Sequence, residues 1–410
     1  MSTLASPFSV PPNATLQWLE AGNNHTARWR SERGAPAPKR VVLADDTLSA
    51  DAAYRLACEG TGLLWRGDFQ NARQMVQALA RRVDKPPKAS KQAKVARKKD
   101  AKDAAEGIPA GQAFHLHRQA QSQRARVLGM VLIEFAADYS VALRRAPDTQ
   151  QACSEAWGAP DDARTSVASL RELLGVVSAH EWRKKGVEIA ALGKAPNNRI
   201  HPHYGVFSPV RGEYVDLVAS APLPKRPASK FVAFDIGTGT GVLAAVLALR
   251  DIDQIVATAQ DPRALACARE NLARLHLTTP VKVMQADLYP EGLASVIVCN
   301  PPWLPARPGS PLEGAVYDEG SRMLLGFING LAAHLAPDGE GWLILSNFAE
   351  QLGLRTRADL QAAIAAAGLK VLGRMDVKPQ HPKALDNTDP LHAAREREVT
   401  SLWRLGAVQS

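Results

Sequence analysis

From Lys230 onward the chain alternates between short apolar runs and helical stretches. The runs Phe231 to Ile236, Gln254 to Ala259, Val281 to Ala286 and Ala294 to Val298 read as strands, and Gly241 to Arg250 and Arg263 to Leu275 read as helices. The pattern continues with a helix over Ser321 to Leu335, a strand over Gly341 to Ser346, a helix over Thr356 to Ala367, and strands near Lys370 to Asp376 and Glu398 to Leu405. Strands spaced by helices in this way predict a parallel sheet covered on both faces.

The first half has a different rhythm. Ala53, Leu56 and Ala57, then Phe69, Met75 and Leu79, recur at helical spacing around a break at Gly60 and Gly62. Helical spacing returns over Phe114 to Ala146 (Leu116, Ala120, Val127, Met130, Val131, Ile133, Leu143) and over Thr165 to Ala191. Residues 1–40 carry turn formers with little periodicity and are expected to be a loose leader. Residues 41–200 are expected to form a mostly α-helical N-terminal domain, with the boundary near residue 200. Within it, residues 81–105 lose nearly all large apolar side chains and gain Arg82, Lys85, Lys88, Lys91, Lys94, Arg97, Lys98, Lys99 and Lys102. That run reads as a solvated basic linker or insertion.

A length of 410 residues exceeds what one core organises, which suits two domains. With 46% hydrophobic and 22% charged residues, the composition excludes wholesale disorder and fibrous classes. The formal net charge of +9 assists encounter with an anionic partner such as RNA. Cys58, Cys153, Cys267 and Cys299 lack CxxC spacing and are expected to be reduced thiols. No signal-peptide order and no membrane-length apolar run is found, so a cytoplasmic protein without membrane partners is expected. His115, His117, His201 and His203 form two HxH pairs without a local carboxylate or cysteine; surface histidines and no metal are expected.

Asp235-Ile-Gly237-Thr238-Gly239-Thr-Gly241 lies between a predicted strand and a predicted helix. Missing side chains there let the backbone turn sharply and a ligand approach closely. The glycines alternate and an acid precedes them inside the strand, unlike the GxGxxG dinucleotide fingerprint. The segment resembles motif I of the class I S-adenosylmethionine methyltransferases. That resemblance implies that the glycines and Thr238 leave room for the methionine portion of the cofactor, with Asp235 helping to hold its amino group through solvent or backbone. At the end of the next strand the family presents an acid to both ribose hydroxyls, since a carboxylate accepts two hydrogen bonds at once. Ala259 occupies that position here, so either Asp261 takes the task or affinity falls; Asp261 before Pro262 also suits a helix cap. Asp287 resembles the family's site for the adenine amino group, or is a turn former.

Val298-Cys-Asn300-Pro301-Pro302-Trp303 follows the fourth apolar strand, where open α/β sheets place ligands. It resembles the (Asn/Asp)-Pro-Pro-(aromatic) motif of methyltransferases acting on planar nitrogens: exocyclic base amines and glutamine amides. The resemblance implies that Asn300 borders the cofactor, that the Asn300 and Pro301 carbonyls accept the two hydrogens of the target nitrogen, and that Trp303 offers a stacking surface. Upstream, Gly205-Val-Phe-Ser-Pro-Val-Arg-Gly-Glu213 is similar to the segment before motif I in the small-domain methyltransferases. By that likeness Phe207, Arg211 and Glu213 line the substrate cleft; a Pro-Gly linker is the plain alternative. The tract from Leu304 to Gly320 would shape substrate entry.

The resemblance spans residues 203–405. It implies an α/β protein in which a Rossmann-like seven-stranded methyltransferase domain, residues 201–410, follows the helical domain. The expected activity is N-methylation of an exocyclic base amine in tRNA or rRNA, with RNA or the ribosome as partner and the basic run along phosphates. The alternative is methylation of a glutamine in a release factor or ribosomal protein. A non-catalytic RNA-binding protein, which Ala259 would favour, stands third, and a nicotinamide oxidoreductase fourth.

Overall fold

Alternation of apolar and polar residues makes Thr15–Glu20 a strand (β1), and Asn23–Trp29 (β2) returns antiparallel to it. Ala21 and Gly22, both at positive φ (49° and 80°), form the two-residue turn that right-twisted hairpins favour. The computed structural model describes residues 14–85, 109–160, 164–310, 312–379 and 389–408. The chain divides into two units, Met1–Ser178 and Ala179–Ser410, ahead of the boundary expected near residue 200.

The first unit carries a six-stranded sheet in the order β1-β2-β6-β5-β4-β3. β3 (Arg40–Ala44), β4 (Thr61–Trp65) and β5 (Val131–Phe135) run parallel, and β6 (Ser166–Ser169) is antiparallel to β5. Helices α1 (Ala50–Cys58), α2 (Phe69–Val83), α3 (Ala110–Leu128) and α4 (Gln150–Trp157) accompany it, and α5 (Leu170–Lys185) begins in this unit and ends in the second, from Ala179 on. The expectation of a mostly helical domain behind a loose leader is therefore corrected. β4, β5 and β6 are largely buried runs of four or five residues, too short for periodicity to separate them from a helical turn, and β1 and β2 fall in the stretch expected to be a loose leader. Arg81 and Arg82 end α2, whereas residues 86–108, with most of the basic run, lie outside the described residues.

In the second unit a small hairpin, β7 (Val187–Glu188) with β8 (Arg199–Ile200), precedes a seven-stranded sheet. Its strands are β9 (Val232–Ile236), β10 (Gln254–Ala259), β11 (Val281–Gln285), β12 (Ala294–Cys299), β13 (Leu335–Ser346), β14 (Leu369–Val377) and β15 (Thr400–Ala407). The order is β11-β10-β9-β12-β13-β15-β14, parallel except that β15 runs against both neighbours. This is the expected Rossmann-like arrangement, with its topological switch between β9, β10 and β12.

Alternating side chains feed a core on each face. Ala233, Val296 and Val298 meet α6 (Glu213–Ser220) and α7 (Val242–Ala248), while Phe234, Ile236, Ile297 and Cys299 meet α9 (Arg322–His334) and α10 (Arg357–Ala366). Every residue of α7 is buried, as an apolar-all-round helix requires. Helix α8 (Pro262–Arg274) follows β10. Among the described residues no helix is long and apolar enough to cross a membrane.

Candidate active site

The glycine turn sits at the carboxyl end of β9. Gly237, Gly239 and Gly241 all have positive φ (73°, 55° and 83°), which an L side chain would strain. A Cβ on Gly241 would stand 3.2 Å from the Ala268 backbone, so close packing on α8 explains that glycine. A Cβ on Gly239 would find only the Gly237 carbonyl, at 3.9 Å, so that face of the turn is open. Gly237 faces Met323, whose Cε would lie 2.3 Å from an added Cβ.

Asp235 turns inward from this loop. Its Oδ2 accepts from Thr238 Oγ1 (2.6 Å) and from the Ala244 amide (3.0 Å), tying the turn to the first residues of α7. Burial pushes its carboxyl up to about 6, against the pull of those two donors. Asp235 thus braces the glycine turn from behind, through Thr238 and the Ala244 backbone.

The end of β10 carries Ala259 where an acid was expected. Ala259 is packed with Val206, Ala264 and Leu265. Asp261 is exposed and caps α8, its Oδ1 accepting from the Arg263 amide at 2.8 Å. Asp287, also exposed, accepts from the Gln260 side-chain Nε2 and pairs with Arg322 at 3.4 Å. Gln260, Asp261 and Asp287 therefore cluster where β10 and β11 end.

At the end of β12, Cys299 is fully buried and its thiol is raised well above the ordinary range by burial, with Asp235 and Asp318 adding negative charge. Asn300 emerges half-buried, and the Trp303 indole Nε1 donates to its Oδ1 at 2.9 Å. Trp303 packs against both cores of the sheet. Pro301 and Pro302 fix the backbone between them. The following tract folds back on itself: Leu304 pairs with Tyr317, and the Asp318 amide donates to the Leu304 carbonyl at 2.8 Å. Asp318 Oδ2 then accepts from the amides of Met323 (2.8 Å) and Leu324 (3.3 Å) at the start of α9.

The stretch before motif I is riveted to α8. The His201 amide donates to Asn271 Oδ1 (2.7 Å), and Asn271 Nδ2 donates to the carbonyls of His201 (3.2 Å) and Thr240 (3.1 Å), linking this stretch to the glycine turn. His203 Nε2 lies 2.7 Å from Glu270 Oε2, and His201 Nδ1 lies 2.6 Å from the Arg183 carbonyl. Burial would raise Glu270, but hydrogen bonds from Arg274 and His203 and the charge of Arg183 hold it at about 2. The two histidines are half-buried tethers, which corrects their reading as surface residues. Phe207, Arg211 and Glu213 follow, all half-buried, with Glu213 opening α6. Tyr214 is raised by burial first and then by Asp235 and Glu213, so α6 begins close to the glycine turn. Asn271, Glu270 and Met323 escaped the sequence reading, whereas Asp318 lies in the tract from Leu304 to Gly320 that it singled out. Asn271 left one signal, a polar residue on the face of α8 that carries Ala268 and Leu272.

Residues 197–354 match the family model of the methyltransferase small domain. The release factor glutamine methyltransferase of Caulobacter vibrioides is 35% identical over 166 residues, which are 38% of this chain and 55% of that protein. The tRNA1(Val) (adenine(37)-N6)-methyltransferase of Shewanella amazonensis is 29% identical over 188 residues, 44% of this chain and 76% of that protein. The chain thus spans about half the length of the first of these relatives. A solved methyltransferase from Pyrococcus furiosus is 18% identical with a TM-score of 0.37, covering 56% of this chain and 96% of that one. The matched segment, residues 197–354, holds the glycine turn and Asn-Pro-Pro-Trp on a sheet of this order, and is similar to the small domain of methyltransferases.

Proposed function

We propose that the chain transfers a methyl group from S-adenosylmethionine to a planar nitrogen, an exocyclic base amine in RNA, in the cytoplasm. The carboxamide of Asn300, held by the Trp303 indole at the end of β12 and next in the sheet to the strand bearing the glycine turn, carries this reading. The cofactor supplies an electrophilic methyl group when bound. Gly237, Thr238, Gly239, Gly241 and Asn300 form its wall, with Asp235 bracing them and Asp261 and Asp287 at the ribose and adenine end. Asn300 Oδ1 keeps one lone pair beside the one engaged by Trp303 and accepts one N–H of the amine, while the Pro301 carbonyl accepts the other. Holding both hydrogens aims the nitrogen lone pair and lowers the barrier by orientation, without a strong base. Pro302 and Trp303 exclude water and give the base a flat neighbour; Phe207, Arg211 and Glu213 line the other side.

RNA is favoured by the charge of +9 and by the tRNA adenine methyltransferase among the relatives. Glutamine methylation is the second reading, favoured by the 35% identity to a release factor methyltransferase. The test is transfer of labelled methyl from S-adenosylmethionine into an extract of a deletion strain, split by RNase and protease, with Asn300→Ala as control. RNase-sensitive label supports RNA and protease-sensitive label supports glutamine. Absence of Asn300-dependent label sinks both and leaves the non-catalytic reading that Ala259 favours.

A further inference from the structure

Trp182 is the one aromatic side chain among the large hydrophobic residues left exposed in the described structure, with 46% of its surface open; the others are aliphatic. It stands near the end of α5 and is followed by Arg183, Lys184 and Lys185. Gly186, at φ 69°, then turns the chain into the β7–β8 hairpin. The hairpin returns Arg199 to the helix end, where its Nη1 donates to the Lys185 carbonyl at 3.2 Å. Lys185 Nζ lies 5.9 Å from the centre of the Trp182 ring. Ion pairs join Lys184 to Glu181, Arg199 to Glu188, and both Arg183 and Arg274 to Glu270. Among the described residues in these pairs, with Lys185 counted, five cations face three carboxylates, a surplus of two positive charges.

Cations at a helix C-terminus complement its dipole, and that accounts for the basic residues. It does not account for an indole left in water beside them. A flat apolar ring flanked by surplus positive charge matches an unpaired nucleic-acid base with phosphates on either side. We infer that this corner docks single-stranded or looped RNA, with Trp182 stacking on a base and Lys184 and Lys185 meeting the adjoining phosphates. The inference rests on the RNA reading of the active site and gives that substrate a second point of attachment. The corner is tied to the catalytic half: the Arg183 carbonyl is bonded to His201, and Glu270 joins Arg183 to His203, at the start of the segment leading to Phe207, Arg211 and Glu213.

The test is fluorescence anisotropy of a short labelled single-stranded RNA titrated with the full chain between about 50 and 200 mM salt. Trp182→Ala should weaken binding by roughly 5- to 150-fold, the range for loss of one stacked base, and Trp182→Phe should keep most of the affinity. Lys184→Glu with Lys185→Glu should lower the salt slope by roughly 0.7 per lost phosphate contact, while Lys370→Glu on the far edge strand should not. Circular dichroism melts should match the wild type, because the side chains changed are exposed. Failure of the wild type to bind RNA, or unchanged affinity in Trp182→Ala, overturns the docking surface. So does a loss of protease-sensitive label caused by these substitutions. Trp182-dependent RNA binding without Asn300-dependent RNA label would support the surface and sink the methylation reading alone.

Discussion

Replacing Asp235 by Asn measures what a buried carboxylate costs this domain. Burial raises its carboxyl to about 6 from an ordinary 3.8, even with the Thr238 hydroxyl and Ala244 amide favouring the charged form. The folded state therefore binds this proton more tightly than the unfolded chain does. The stability it contributes is complete below about pH 4 and is lost as pH rises through about 6; above that the fold carries an ionised group at a cost. A gap of about two pH units corresponds to about 3 kcal/mol. Asparagine has the same shape, its Oδ1 can accept both hydrogen bonds, and it carries no charge, although its Nδ2 needs an acceptor that makes 3 kcal/mol an upper bound. In a unit of this size about 1 kcal/mol moves Tm by roughly 2–4 °C. Asp235→Asn should therefore raise Tm at pH 8 by up to about 6–12 °C, with the gain shrinking to nothing between pH 6 and pH 4. Calorimetric melts of both proteins across that range are the assay. A lower Tm in the variant at pH 8, or a gain indifferent to pH, would refute the assignment of Asp235 as a buried brace.

Three further outcomes are expected. Trp303→Phe keeps a ring but removes the donor to Asn300; with a neutral hydrogen bond worth about 1 kcal/mol, single-turnover methyl transfer should slow roughly fivefold at unchanged substrate KM. Gly237→Ala places a Cβ against Met323 on left-handed backbone that costs roughly 1–2 kcal/mol, so titration calorimetry should show weaker S-adenosylmethionine binding and the melt should drop by several degrees. Asp261→Ala removes the α8 cap and should cost about 1 kcal/mol in a denaturant melt, with cofactor affinity falling about tenfold; unchanged affinity would leave Asp261 a helix cap alone.

The second unit was readable because β9, β10 and β12 are nearly continuous apolar runs, buried on both faces, each followed by an unmistakable turn signal. Asp261-Pro262 announced its cap in the same way. The first unit hid its sheet because β4, β5 and β6 are four or five residues long and adjoin helices. In the site, the motifs located the loops but could not orient side chains. Whether Asp235 faces ligand or core, and whether Asn300 meets its own Trp303, depends on contacts between residues that no local pattern encodes. The tethering by Asn271 and His203 is of the same kind, since partners some seventy residues apart in sequence meet only in the folded sheet.

The place of β15 has a consequence for how the protein is made. Thr400–Ala407 inserts between β13 and β14, pairing Trp403 with Leu343 on one side and Arg374 on the other. As a ribosome releases the chain, β14 emerges with no neighbour to join, and β13 offers an open apolar edge until β15 arrives. A nascent chain paused before residue 400 would expose both edges at once, a template for pairing with other chains. The interval between synthesis of β13 and arrival of β15 should then bear on yield alongside the stability of the folded sheet.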